Sequence, residues 1–162
     1  MIIRKAIKSD IEILIKLRID YLTEDGGELT FDEKCKTAEN LREYFSKHIE
    51  NTNNNDFIAA IAEIDGKIIA TAFMVINERP VNPRYFITGK TAVILNVLTY
   101  SEFRRQGIAT KLLELLIEEA KKADVSFIEL SATSLGKTVY EKLGFIKKLP
   151  SSYTEMRLNL LN

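Results

Sequence analysis

The chain has 162 residues, 46% hydrophobic and 28% charged, with 23 basic and 23 acidic side chains. That size suits one domain over residues 1–162, long enough to bury a sizeable core. Zero formal net charge excludes a global field for nucleic acid or an anionic membrane; a single cysteine (Cys35) excludes an intrachain disulfide, and with a single histidine (His48) it excludes zinc clusters of the usual kind.

Residues 2–7 (IIRKAI) read as a short strand, and SDIE at 9–12 as a capping box opening a helix. Ile11, Leu14, Leu17 and Tyr21 follow at helical spacing until Gly26 and Gly27 stop the helix. A more polar helix is expected over 34–49, then a turn at NTNNN, 51–55. Asp65-Gly66 between two apolar, β-branched runs within 57–76 predicts a hairpin. Residues 77–90 form an irregular connection. The nearly continuous apolar run 91–99 predicts a central strand buried on both faces.

A wide apolar stripe (Ile108, Ala109, Leu112, Leu113, Leu116, Ile117, Ala120) marks the next helix, and VSFIELSAT the strand after it. Strand, helix and strand form a crossover, expected to be right-handed with parallel strands. A short helix at 135–143 stops at Gly144, and strands are expected at 145–148 and 153–160. The order βααβββαβαββ describes an α/β (α+β) domain with a mixed sheet. No apolar run reaches the ~18 residues of a membrane span, and the N-terminus lacks a long apolar signal core. With the lone thiol, this fits a cytoplasmic protein without a membrane partner.

The chemistry concentrates where the strand at 91–99 turns into the helix. The first amides of a helix lack intrahelical acceptors and sit at its positive pole. Arg104, Arg105 and Gln106 add charge and a neutral donor there, and Gly107 removes a Cβ from a close approach. Such a turn is a socket for phosphate or pyrophosphate. Neither G-x-G-x-x-G nor G-x-x-x-x-G-K-[ST] occurs, which weakens Rossmann and P-loop readings.

RRQGIA (Arg104 to Ala109) matches [QR]-x-x-G-x-[GA], the acetyl-CoA signature of the GCN5-related N-acetyltransferases, and VYEKLGF at 139–145 resembles that family's second recurring segment. The chain therefore resembles this superfamily over nearly its whole length. The resemblance implies a mixed sheet of about seven strands with about four helices. It implies an acetyltransferase that uses acetyl-CoA as co-substrate and a small-molecule or peptide amine as acceptor, and it allows a homodimer. It places the pyrophosphate on the turn formed by Arg104, Arg105, Gln106, Gly107, Ile108, Ala109 and Thr110, and the cofactor arm along Val97, Leu98 and Thr99. A backbone amide of Leu98 or Thr99 is then the donor to the thioester carbonyl. Tyr140 matches the tyrosine that protonates the departing sulfur.

Departures from the family pattern are Thr99, Tyr100 and Ser101 in place of Val-x-Pro, Thr133 in place of an asparagine, and Gly136 in place of an alanine. Thr133 and Lys137 are the remaining cofactor candidates. No glutamate lies on the strand at 91–99, so the base stays open among Glu24, Glu28, Glu102, Glu129 and a water relay. Asn96, a polar residue in an apolar strand, is read as orienting a water or the acceptor. The acceptor walls map onto residues 21–36, which are acidic, and 77–90, which carry Arg79 and Arg84; the two clues conflict. The rival class is a non-catalytic acyl-CoA-binding or regulatory module on the same scaffold.

Overall fold

The computed structural model describes residues 1–50, 56–148, 154 and 156–160. They fall into two compact units, residues 1–131 and 132–162. The first holds β1 (Ile2–Lys5), α1 (Ile11–Gly26), α2 (Phe31–His48), β2 (Phe57–Ile64), β3 (Lys67–Glu78), β4 (Lys90–Thr99), α3 (Ile108–Lys122) and β5 (Ile128–Glu129). Its sheet runs β1-β2-β3-β4-β5, antiparallel except for the parallel β4–β5 pair across the α3 crossover.

Strand alternation divides the core. One face of the sheet presents Phe57, Ala59, Ile61 and Phe73 to Leu14 and Ile15 of α1 and Phe45 of α2. The residues alternating with them are mostly small: Ala60 pairs with Ala72, and Ala62 with Ala70, all fully buried. That small-residue face lets α3 lie close over β2 and β3. Leu112, Leu113 and Leu116 of α3 are completely buried, each worth about 1.5–3 kcal/mol relative to exposure.

The hairpin forms as expected, with Asp65 (φ 49°) and Gly66 (φ 76°) both left-handed, the pattern of a two-residue turn that matches strand twist. Gly27, at φ 95°, closes α1. The Ser9–Glu12 capping box does not form. A 3-10 turn over Lys8–Asp10 precedes α1, the Asp10 carboxylate accepts the Ile7 amide (2.8 Å), and Glu12 takes a two-pronged bond from Arg42 (2.7 and 2.8 Å). The capping box that does form is at α2. Thr30 Oγ1 accepts the Glu33 amide and Glu33 accepts the Thr30 amide, so α2 starts earlier than its apolar periodicity indicates.

Two further expectations are corrected. β4 is an inner strand but not the middle one, which is β3, and Val93, Leu95, Val97 and Thr99 are only half-buried. In the second unit, α4 (Lys137–Lys142) ends as Gly144 (φ 92°) and Phe145 donate back to the Glu141 and Tyr140 carbonyls. This helix stop uses the backbone that a strand at 145–148 would need, and no ladder forms there. Residues 154 and 156–160 are also without strand, and Met156, Leu158 and Leu160 are exposed. The sheet thus has five strands among the described residues, not seven. The turn at 51–55, and residues 149–153 and 155 of the C-terminal segment, lie outside the described residues.

Candidate active site

β4 is continuous with β3 on one side and nearly bare on the other. Its ladder with β5 contains only Ala92–Ile128 and Val93–Glu129, so beyond Val93 this edge has no strand partner among the described residues. Across β3, the register slips: Asn96 and Val97 stand opposite Ala72, between the pairs Phe73–Leu95 and Thr71–Leu98. This is a β-bulge, and Asn96 occupies it at φ 54°, a left-handed conformation that asparagine tolerates better than β-branched residues. The bulge resets which amides face the open edge. The Tyr100 amide donates to Ile69 of β3 (3.1 Å), so by alternation the Leu98 amide also faces β3 and the Thr99 amide faces the open side.

The signature turn sits directly beyond that strand end. Arg104 Nε donates to the Thr99 carbonyl (2.8 Å), which ties the turn to β4. Arg105 (φ 64°) and Gly107 (φ 75°) are both left-handed, and Gly107 is the N-cap of α3. No side chain caps this helix; the first amide that finds a helical acceptor is that of Lys111, on Gly107 (3.2 Å). A Cβ at Gly107 would meet nothing within 4 Å. The glycine is therefore required by its backbone angle, and the socket in front of it is open. The turn and β4 edge thus fit an anionic diphosphate followed by an extended, strand-like arm. Thr99 Oγ1, buried without a hydrogen-bond partner among the described residues, is a further polar atom at this corner.

Arg104 also has an acidic partner, Glu24 at the end of α1, 80 residues away in sequence. The pair is open to solvent on both sides, so it offsets the charge only in part, and the guanidinium ties the turn to α1 as well as to β4. Arg105 and Gln106 are exposed, and Arg105 forms no ion pair among the described residues.

The base candidates are mostly engaged. Glu24 is held by Arg104, and Glu28 by Lys34 (3.3 Å). Glu102 is bonded by its own backbone amide and by the Ser101 hydroxyl, which hold its carboxyl below the usual range. A network that the sequence does not announce joins α1 to the end of β4: Tyr100 donates to Asp20 (2.6 Å), and Lys16 bonds both Asp20 (2.5 Å) and the Tyr100 hydroxyl (2.9 Å). Burial and Asp20 together push the Tyr100 hydroxyl above its ordinary pKa. Lys16 and Asp20 at i and i+4 share a helix face, but nothing in the linear pattern gives Tyr100 as their third partner.

Tyr140, Thr133 and Lys137 come together in the second unit. The Tyr140 ring packs edge-on to Phe145 (centroids 6.0 Å apart) and lies against Gly136, where a Cβ would come within 2.9 Å of Cε2. Thr133 accepts the Gly136 amide through its hydroxyl (3.2 Å) and the Lys137 amide through its carbonyl (3.0 Å). Lys137 pairs with Glu141 (3.5 Å), the ordinary arrangement of a solvated i, i+4 pair. His48 bonds Asp56 (2.9 Å) and stacks on Tyr44 beside the α1–α2 core. Among the described residues no group of His, Cys, Asp and Glu is placed to hold a metal ion, and no helix is long and apolar enough to cross a membrane.

An open β4 edge leading into an uncapped, glycine-led helix fits a transferase that binds an acyl-CoA, and the comparisons with known proteins agree. Residues 15–145 match the model of the acetyltransferase (GNAT) family. The crystal structure of a predicted acetyltransferase with acetyl-CoA from Clostridium acetobutylicum is 33% identical, with 96% of this chain and 95% of that one covered, at a TM-score of 0.80. Glucosamine-6-phosphate N-acetyltransferase from Arabidopsis thaliana is 25% identical over 96% of this chain and 98% of that one, at 0.64. A GCN5-related N-acetyltransferase from Ralstonia eutropha, 19% identical over 97% of each chain, shares the fold at 0.74. The chain belongs to the GNAT acetyltransferase family.

Proposed function

We propose that the protein transfers an acetyl group from acetyl-CoA to a primary amine, a small molecule or a peptide amine, by direct attack within a ternary complex. The observation that carries this reading is the uncapped N-terminus of α3, led by a left-handed Gly107 and tied by Arg104 to a β4 edge without a strand partner beyond Val93 among the described residues. The amides of Ile108, Ala109 and Thr110 receive the diphosphate, and Arg105 and Gln106 flank it. The pantetheine arm runs along Val97, Leu98 and Thr99. The Thr99 amide is the donor to the thioester oxygen, because the bulge turns the Leu98 amide toward β3.

In the reaction the amine nitrogen bonds to the acetyl carbon and the carbon–sulfur bond breaks. The nitrogen gives up its proton through water, and the departing sulfur takes one from the Tyr140 hydroxyl, which is replenished from solvent. A phenol titrating near 10 keeps its proton until a thiolate of pKa about 8.5 forms. No glutamate stands on β4, and Asn96 does not accept protons. Turnover is therefore expected to rise with pH as the acceptor amine, of pKa about 10.4 if lysine-like, loses its own proton. A cytoplasmic location is part of this proposal and is supported by the lone thiol.

The test is a thiol-release screen with acetyl-CoA and a broad panel of amines, comparing the native protein with Tyr140→Phe. Turnover should fall about a hundredfold or more in the variant, with acetyl-CoA affinity by calorimetry nearly intact. An equal rate rejects the acid role. Acetyl-CoA binding without turnover of any amine assigns the chain to the binding-module class.

A further inference from the structure

Three departures from ordinary packing meet at one point on β4. Asn96 is 1% exposed, yet its backbone is left-handed and its Nδ2 has no hydrogen-bond partner among the described residues. Its Oδ1 accepts from Arg18 Nη1 (3.2 Å), which reaches over from α1. Arg18 itself is half-buried, and among the described residues no carboxylate forms an ion pair with it; its guanidinium lies against the Tyr21 ring, 5.5 Å from the centroid. Burial pulls its pKa below the ordinary arginine value, against the weaker attraction of Tyr21 and Asp25. A half-buried cation satisfied by one neutral oxygen and a ring face is costly to the fold. Such local costs gather where a ligand supplies the missing partner.

Several charges on the acceptor walls are already committed. Glu24 holds Arg104, Glu28 holds Lys34, Glu33 caps α2, and Arg79 lies on the Phe86 ring. Arg18 is the cation bonded to the bulge, which lies about three strand residues, or roughly 10 Å, from Thr99. A guanidinium fork suits the two oxygens of a carboxylate. The nearby negative charge of Asp25 favours a monoanion over a phosphate dianion.

We propose that Arg18, oriented by Asn96, binds a carboxylate on the acceptor, so that the substrate is an amine that also carries a carboxylate, of amino-acid or short-peptide size. This rests on the acetyl-transfer reading. In it Arg18 touches the acceptor and Asn96 is a positioning residue. Asparagine at 96 also leaves the arginine available, since an aspartate there would pair with it.

The experiment measures kcat/KM for matched pairs, the common amino acids against their carboxamides, and for glucosamine-6-phosphate against glucosamine, in native protein, Arg18→Gln and Asn96→Asp. The native enzyme should prefer the carboxylate member about tenfold to a hundredfold, as one charge-assisted contact provides. Both variants should bring that ratio near one, chiefly through KM, with acetyl-CoA affinity by calorimetry retained. Asn96→Asp is nearly isosteric and keeps the proposal testable if Arg18→Gln fails to fold. Equal use of acids and amides, a preference for the phosphorylated sugar, or a ratio unmoved in the variants overturns it. If no amine is acetylated, calorimetry with N-acetyl amino acids and their amides in the presence of CoA decides. Selective binding of the acids, lost in both variants, supports the Arg18 site even where acetyl transfer fails, and its absence rejects it.

Discussion

At Gly107 the decisive property is a backbone angle. A Cβ there would meet no described protein atom within 4 Å, so nothing in the fold itself excludes a side chain, while φ 75° penalises any other L-residue. Gly107→Ala should lower stability by about 1–2 kcal/mol and weaken acetyl-CoA binding, and Gly107→Asn should lose less, because asparagine enters the left-handed region more readily. Calorimetry with acetyl-CoA on the two variants checks the order. Gly136 is the opposite case. Its φ of −80° suits any residue, but a Cβ would press on the Tyr140 ring at 2.9 Å. Gly136→Ala should leave the melting temperature within a few degrees and reduce kcat about tenfold by displacing the ring, since small misplacements of reacting groups are expensive. An unchanged kcat would show that the ring's seat is not critical. The two glycines are equally visible in the sequence, yet only Gly107 announces its role there, because its motif is local; the seat of Tyr140 depends on a ring four residues on.

Elements show the same division between local and distant causes. The Asp65-Gly66 hairpin and the Gly27 and Gly144 helix stops are legible because each depends on the residues that adopt it. The start of α1 is not, because distant arginines take the acidic side chains there: Arg42 of α2 takes Glu12, and Arg4 takes Asp10. Arg4 of β1 grips that carboxylate at 2.6 and 3.0 Å and also reaches Glu63 of β2. The Arg4 hydrogen bonds hold the Asp10 carboxyl below its ordinary 3.8. A folded pKa below the unfolded one means the contribution is complete above about pH 4 and disappears as pH falls through the folded value. Asp10→Asn should therefore cost about 1–3 kcal/mol at pH 6, and the gap from native should narrow as pH falls below the ordinary carboxylate range. Urea midpoints across that range measure it. The strand expected at 145–148 fails for a related reason: its first amide, that of Phe145, is spent on closing α4, and Phe-Ile-Lys-Lys lacks the alternation that would specify a strand.

For the whole molecule, what matters is that two distant segments complete one socket. The crossover and the glycine-led turn before α3 can be read from residues 91–145, but the Glu24–Arg104 pair and the Arg18–Asn96 contact join positions about 80 residues apart, and no local pattern encodes them. They tie α1 to β4 and to the turn before α3, so ligand binding at the turn should be felt as global stability. A ligand that binds only the folded state, present at about a hundred times its Kd, stabilises by about 2.7 kcal/mol. For a chain of this size, that corresponds to a rise of roughly 5–10 °C in Tm. Native protein should show this rise with acetyl-CoA, and ATP or NAD should give none, since neither nucleotide motif is present. Glu24→Gln leaves Arg104 without its counter-charge while preserving the Thr99 bond, so the turn keeps its shape and gains a cation for the diphosphate. The expected result is a slightly lower Tm without ligand and an acetyl-CoA-induced rise at least as large as in the native chain. A smaller rise would mean that the ion pair itself shapes the socket, and that the neutralised arginine is essential to the turn.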